Sequence, residues 1–254
     1  MSSPPAGINL SCANLHQTLA VLDHPEKRLK VIQVAGTNGK GSVCACIASV
    51  LRHAGYKVGR FTSPHLVEPR DSIVVNDAVI PSTVWDDLQR RGEEAQRDAQ
   101  VLLTSFEKLT LCAILWFDQE QVDWAVLEVG VGGARDATSV CAASTLVSVL
   151  TAVALDHVGL IGSTLDEIAE EKCGIFRPRK AVVVGEQRYP EVVSVVRQTV
   201  QRVRPDVAYS VLPVARKASS ARPFSTYEVT WSHRTSLTPP TDTPEATPIK
   251  SNTL

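Results

Sequence analysis

The sequence predicts an α/β protein built on a doubly wound, mainly parallel sheet, and three observations carry that expectation. Short, nearly continuous apolar runs of strand length recur, at 31–35, 124–129, 145–153 and 181–184. Strands buried on both faces have this composition, whereas half-exposed strands alternate. Stretches with helical spacing of apolar residues lie between the runs, so strands and helices alternate along the chain. The first run leads directly into Gly36-Thr-Asn-Gly-Lys-Gly-Ser42 and then into a helical pattern at Val43, Ile47, Val50 and Leu51. Strand, glycine-rich turn and helix in that order make a phosphate cradle. Glycines let backbone N–H groups close around an anion, the helix N-terminus adds positive potential, and Lys40 supplies a mobile cation.

The elements follow in order. Residues 1–8 read as loose, and Asn9 to Leu22 as a first helix with Leu15, Leu19 and Leu22 on one face, ended by Asp23-His24-Pro25. After the cradle helix, Ala54-Gly55-Tyr56 turns the chain into a short strand at Lys57–Phe61. Thr62-Ser-Pro-His-Leu66 is then a loop fixed by Pro64, and Ser72–Ile80 a small hairpin around Asn76-Asp77. Helices are expected near Pro81–Gln100 and Phe106–Trp116, and a buried strand at Trp124–Val129 ends with Glu128 before Gly130-Val-Gly-Gly133. Thr145–Val153 is a strand leading to Asp156-His157. Leu165–Cys173 and Glu191–Val203 read as helices, Ala181–Val184 and Val207–Leu212 as strands. Ligands of such sheets bind beyond the carboxyl ends of strands, where these chemistry-bearing residues fall. Phe224–Trp231 reads as an orphan strand, and residues 236–254 as a Pro/Thr-rich tail too poor in apolar residues to fold.

Bulk properties narrow the function. A chain of 254 residues can bury a large core. A net charge of −1 with 21% charged residues gives no reason to expect a nucleic-acid or acidic-surface partner. The six cysteines form no CxxC and no zinc spacing, which points to a reducing, cytoplasmic compartment. The opening MSSPPAG lacks the apolar core of a signal peptide, and no apolar run approaches the roughly 20 residues that span a bilayer. A soluble protein without a membrane partner is expected.

The glycine-rich loop departs from the general P-loop. With Gly39-Lys40 in place that pattern needs Gly at 34 and Ser or Thr at 41, where Val34 and Gly41 stand. GTNGKGS instead resembles the nucleotide loop of the folylpolyglutamate and dihydrofolate synthases, members of the Mur ligase superfamily with a P-loop NTPase-like central domain. The resemblance extends in order along the chain: Thr62-Ser-Pro-His-Leu66, Phe106-Glu107 with Leu109-Thr110, Leu127-Glu-Val-Gly-Val-Gly-Gly133 with Asp136-Ala-Thr138, Leu155-Asp-His157, Leu165 to Ala169, and Glu171-Lys172-Cys-Gly-Ile175. It covers roughly residues 9 to 187.

The resemblance implies an ATP- and Mg²⁺-dependent ligase that adds L-glutamate to a folate or dihydropteroate carboxylate through an acyl phosphate. A phosphoryl group in flight needs cations around its oxygens. The resemblance gives Gly36, Thr37, Asn38, Gly39, Lys40, Gly41 and Ser42 to ATP, with Lys40, His157 and Lys172 as catalytic groups. Magnesium, which prefers hard oxygen ligands, would take Ser63 and Glu128 with His157 completing the site, and Ser63 would replace the hydroxyl that Gly41 lacks. Lys172 would be carbamylated and bind a second Mg²⁺, Asp156 would orient His157, and Pro64 and His65 would line the substrate side. Taken singly, these residues have plainer readings. Glu128 fits a cap or an arginine pair, His157 a satisfied loop histidine, Lys172 a solvated ion pair on a charged helix, Pro64-His65 a rigid turn. Cys44 and Cys46 read as helix packing.

Departures from the family pattern are confined. Ala134 stands where an arginine is usual, with Arg135 after it; Ser139 replaces Asn; and Asp71-Ser72-Ile73 replaces ERI. Nothing after Leu212 resembles the family's second domain. The sequence therefore reads as an ATP-binding domain over 1–212 with an unrelated 213–254, and the alternatives are a nucleotide-binding homologue that does not ligate, or a superfamily ligase with another acyl acceptor. Self-association through an apolar face left by an absent domain is a further expectation.

Overall fold

The computed structural model describes residues 12–213 and 227–233. Its strands are β1 Val31–Ala35, β2 Val58–Phe61, β3 Ile73–Val75, β4 Ala78–Val79, β5 Trp124–Glu128, β6 Thr145–Leu150, β7 Ala181–Val184, β8 Val207–Pro213 and β9 Tyr227–His233. Its helices are α1 Ala13–Val21, α2 Lys40–His53, α3 Ser82–Asp98, α4 Ser105–Gln119, α5 Leu165–Cys173 and α6 Pro190–Val203. All the strands join one sheet in the order β4-β3-β2-β5-β1-β6-β7-β8-β9. The central strands β2, β5, β1, β6, β7 and β8 are parallel, while β3, β4 and β9 add antiparallel edges.

The sheet is wound on both faces, but unequally, and chain direction explains why. A right-handed crossover puts its helix on a face set by the direction in which the chain moves across the sheet. Only the β1-to-β2 connection, through α2, is a helical crossover toward the β4 edge. Those through α3 and α4, α5 and α6 move toward the β9 edge. Val31, Phe61, Ala125 and Leu127 accordingly pack with α1, α3 and α4, and Leu150, Val182 and Val184 with α5 and α6. On the opposite face Ile32, Val34, Val58, Val126 and Val149 meet Cys44 of α2. β1, whose α2 lies on the opposite face from the α5 that follows its neighbour β6, is therefore the switch point, the place beyond which ligands of such sheets bind.

Local chemistry fixes the supports. α4 starts with a capping box: Thr104 N–H donates to Glu107 Oε2 (2.8 Å) and Glu107 N–H to Thr104 Oγ1 (3.3 Å). α4 is apolar almost all round because it lies between the sheet and α1 and α3, and Leu111, Ile114 and Phe117 are fully enclosed. Burial of such a side chain contributes about 1.5–3 kcal/mol. Phe106 lies against Gly130, where an added Cβ would come within 2.5 Å of the ring. The Phe-Glu pair at the start of α4 thus does two jobs, capping its helix and supporting the loop after β5.

Three expectations need correction. The strand expected to reach Val153 ends at Leu150, because Thr151–Ala154 turns to bond the glycine-rich loop instead of a neighbouring strand. The strand expected at Phe224–Trp231 is described over Tyr227–His233, with 224–226 outside the described residues, and it is no orphan, since 227–233 pairs antiparallel with β8. Cys44 is buried as helix packing, but Cys46 is exposed. The first helix starts at Ala13, with 9–11 outside the described residues, as are 1–8 and 236–254.

Candidate functional site

The loop between β1 and α2 is pressed into a groove formed by the end of β6. Thr37 N–H and Asn38 N–H both donate to Ala152 O (2.8 and 3.3 Å). Thr37 Oγ1 donates to Ala154 O and accepts from Ala154 N–H, each at 3.1 Å. The approach is so close that a Cβ on Gly36, whose φ is 144°, would lie 1.9 Å from Thr151 Oγ1. Gly39, at φ 85°, has open space around it and is needed for its backbone angle alone.

The helix that follows is left open at its N-terminus. Gly39 caps α2 without a side-chain hydrogen bond, and the first bond of the helical ladder is Val43 N–H to Gly39 O (2.9 Å). The N–H groups of residues 39–42 therefore have no carbonyl one turn earlier to bond. Beside them stands Lys40, whose ammonium reaches back to donate to Thr37 O (3.3 Å). Unpaired N–H groups, the positive end of a helix and a lysine together form an anion site.

Glu128 comes up beside this site from β5. It is 4% exposed, and its Oε2 accepts Ser63 N–H at 3.1 Å. The same oxygen stands 3.3 Å from where a Cβ on Gly41 would be. Gly41 therefore departs from the P-loop pattern because a larger residue there would crowd the carboxylate. Burial pushes the Glu128 carboxyl above its ordinary range, against the pull of Ser63 N–H, Lys40 and Arg60.

Lys172 enters from below the loop. It is 2% exposed and donates from Nζ to Gly36 O at 2.8 Å, so it is no solvated surface lysine. Burial, with Lys40 nearby, lowers its pKa to about 8, partly offset by Asp156, Glu171 and Asp136. α5 can bring it there because Gly133 has no side chain: a Cβ would lie 2.7 Å from Glu171 O and 3.0 Å from Lys172 Cα. Arg135 donates from N and Nε to the Glu171 carboxylate (both 3.1 Å), and Ala134 N–H to Glu171 O (2.9 Å). Of the departures from the family pattern, Arg135 thus fastens this loop to α5 with its side chain, and Ala134 with its backbone N–H alone. Asp136 shapes the loop from inside, accepting Gly130, Val131 and Thr138 N–H and the Thr138 hydroxyl; burial raises its pKa.

The loops after β2 and β6 are looser. Ser63-Pro64 is a cis peptide, and Pro64 and His65 are exposed. His157 has φ 49° and a side chain 38% exposed, and it turns to Asp156: its N–H donates to Oδ1 (2.9 Å) and Nε2 lies 3.4 Å from Oδ2. Of the four residues expected around magnesium, Glu128 and Ser63 touch, Lys172 bonds the loop carbonyl, and His157 pairs with Asp156. Among the described residues no three His, Cys, Asp or Glu side chains cluster closely enough to hold a metal ion. A single buried carboxylate beside an anion cradle still fits Mg²⁺, which keeps several waters and is usually held by one or two carboxylates plus phosphate oxygens.

Two supports escaped the sequence reading. Thr151–Ala154 looked like more strand, and nothing in its composition distinguishes it. Arg60 had a signal in the period of β2: it shares a face with Val58, toward α2, and lies close enough to influence Glu128 and Cys44.

Comparison with known proteins agrees with this fold. The Mur ligase middle domain pattern matches residues 34–203. The dihydrofolate synthetase of Saccharomyces cerevisiae is 40% identical over 170 residues, 66% of this chain and 40% of the relative. The dihydrofolate synthase/folylpolyglutamate synthase of Escherichia coli is 42% identical over 168 residues, 66% of this chain and 39% of the relative. Among solved structures, the Mycobacterium tuberculosis folylpolyglutamate synthase complexed with ADP superposes with a TM-score of 0.73 at 33% identity, covering 81% of this chain and 48% of that one. An FPGS–AMPPCP–folate complex superposes with 0.76 at 32% identity, covering 92% and 57%. The chain thus spans about half the length of the relatives it matches, or somewhat less.

Proposed function

This chain belongs to the Mur ligase family through its middle domain, alongside the dihydrofolate and folylpolyglutamate synthases, and from that premise we propose that it is the phosphoryl-donor part of an ATP-dependent glutamate ligase. Its substrates are ATP, a dihydropteroate or folate carboxylate, and L-glutamate. The observation that carries the proposal is the open N-terminus of α2 with Lys40, set against the buried Glu128 carboxylate at Gly41.

In this reading the β- and γ-phosphates lie on the N–H groups of residues 39–42, with Lys40 on their oxygens. A carboxylate oxygen of the folate substrate attacks the γ-phosphorus, the bond to the β-phosphate oxygen breaks, and ADP leaves. The glutamate amine then attacks the acyl carbon, phosphate departs and the amine loses a proton. Glu128, with Ser63 and His157, would hold Mg²⁺, which when bound neutralises charge on the transferred group. Glu128 and Lys40 fix where that charge can sit, and Asp156 orients His157. Lys172, with a pKa near 8, has a neutral amine available to add CO₂; an N–C bond forms, a proton leaves, and the resulting carbamate offers oxygens to a second ion.

Folate is favoured over other acyl acceptors of the superfamily because the matched relatives are named for folate chemistry. Five of the six cysteines are buried free thiols, which supports a reducing, cytoplasmic setting, and among the described residues no helix is long and apolar enough to cross a membrane. We further propose self-association through the apolar face that a second domain would cover.

The test is radiolabelled glutamate addition with dihydropteroate or tetrahydrofolate, by the chain alone and with the separately made C-terminal half of a relative. Addition in the supplemented reaction is expected. Tight ATP–Mg²⁺ binding with no addition in either reaction would favour a nucleotide-binding homologue without ligase activity.

A further inference from the structure

We infer that Gln187, just beyond β7, is a positioning residue that holds the nucleotide loop in shape from the side away from the nucleotide. The inference rests on reading residues 36–42 as a phosphate cradle. Gln187 is half-buried and uses its amide fully on backbone. Nε2 donates to Thr151 O and to Gly185 O, both at 3.0 Å, and Oε1 accepts Val153 N–H at 3.0 Å. Gly185 N–H in turn donates to Leu150 O at 2.8 Å.

The segment that Gln187 grips is the one that grips the loop. Ala152 O receives Thr37 and Asn38 N–H, and Ala154 exchanges two bonds with the Thr37 hydroxyl. Past Leu150 the chain has left the sheet, so no neighbouring strand completes its hydrogen bonds on the β7 side. Buried backbone groups need partners, and Gln187 supplies them where the ladder stops. A path of direct hydrogen bonds therefore runs from the end of β7 through 151–154 to Thr37 and Asn38. The loop is ordered before any ligand arrives, which lowers the cost of binding one.

Glutamine suits this place for a chemical reason. Glutamate would set a carboxylate against two carbonyl oxygens, and methionine has the length without donor or acceptor. Loss of all three bonds, at roughly 0.5–1 kcal/mol each, corresponds to a change of roughly 10- to 150-fold, of which the loop shares a part.

The test is amide hydrogen exchange of the ligand-free protein, together with ATP–Mg²⁺ affinity, for wild type, Gln187→Met and Gln187→Glu. Thr37 and Asn38 amides are expected to exchange roughly tenfold faster in both variants, while Ile32 and Val34 in β1 keep their protection. Kd for ATP–Mg²⁺ is expected to rise about fivefold or more. Unchanged exchange at Thr37 and Asn38 in folded Gln187→Met would overturn the inference, as would equal acceleration throughout β1, which marks general destabilisation. Faster loop exchange with unchanged ATP affinity would overturn the positioning role. Faster loop exchange in a protein whose wild type binds no ATP would leave the clamp standing and remove the cradle reading instead. Gln187→Asn, one methylene short of the bonding distance, gives the same readout should the methionine variant fail to fold.

Discussion

The glycine-rich loop and the two loops that face it, after β2 and after β6, sit at the same edge of the same sheet and are built in opposite ways. The first is fastened by backbone bonds to Ala152, by the Thr37 hydroxyl to Ala154 and by Lys172 to Gly36. The others carry bare apolar side chains into solvent: Leu66 is 93% exposed, Val67 86%, Leu155 60% and Val158 61%. A site that must place a phosphoryl group gains from being rigid beforehand, because its donors then need no reorganisation. Walls that must admit and enclose a large acceptor cannot be closed in advance. On the proposed reading, the phosphate cradle is fastened among the described residues, while the loops that would wall the acceptor carry apolar side chains in the open.

Variants can break this contrast on one side and leave the other alone. Lys40→Ala removes the side-chain cation from the cradle, and a loss on the order of a hundredfold in ATP turnover is expected from the size of such electrostatic effects. Equal turnover in the folded variant would remove the cradle assignment. Gly36→Ala drives a methyl into Thr151 and should cost about 1–3 kcal/mol of stability along with a large loss of ATP affinity; thermal unfolding and titration calorimetry report both. Glu128→Gln keeps the shape and loses the charge, so the Mg²⁺ concentration for half-maximal activity should rise about tenfold, and identical titration curves would make Glu128 structural.

Lys172 gives a smaller effect with a definite sign. Between about pH 8 and 10.5 the unfolded chain holds a proton on this amine that the folded chain has released. Unfolding free energy should therefore rise with pH across that window, by up to about 1.4 kcal/mol per pH unit, and Lys172→Met should flatten the rise. Native mass measurement in bicarbonate should show one added CO₂ on the wild type and none on the variant. On the open side, Leu66→Ser and Val158→Ser should change stability by less than about 0.5 kcal/mol and leave ATP affinity where it was. A marked loss of ATP affinity in either would show that the acceptor loops already shape the donor half.

The parallel core was legible because its strands are apolar on both faces and the stretches between them carry helical spacing, two of them with a side-chain cap at Thr104 and Thr164. The cradle was legible because GTNGKGS must have glycine where φ is positive or Thr151 is close. The supports behind it were not, since they bond through backbone atoms that any residue carries: Ala152 and Ala154 work by their carbonyl and N–H groups, and Gln187 looks like any polar residue after a strand. Gly41 was visible only as a mismatch, and its cause, the Glu128 carboxylate, comes from a strand 87 residues away in sequence. The uneven covering of the sheet follows from the direction of each crossover, which requires strand order, and strand order is a long-range property that local pattern does not encode.

The contrast between a fastened cradle and the open loops that face it predicts one stoichiometry. The purified 254-residue chain would be mixed with ATP, Mg²⁺, a folate substrate and labelled glutamate, and phosphate released counted against amide formed. An acyl phosphate made at an unclosed site is lost to water. Slow phosphate release with no accompanying amide is expected; one amide for each phosphate from this chain alone would contradict the contrast.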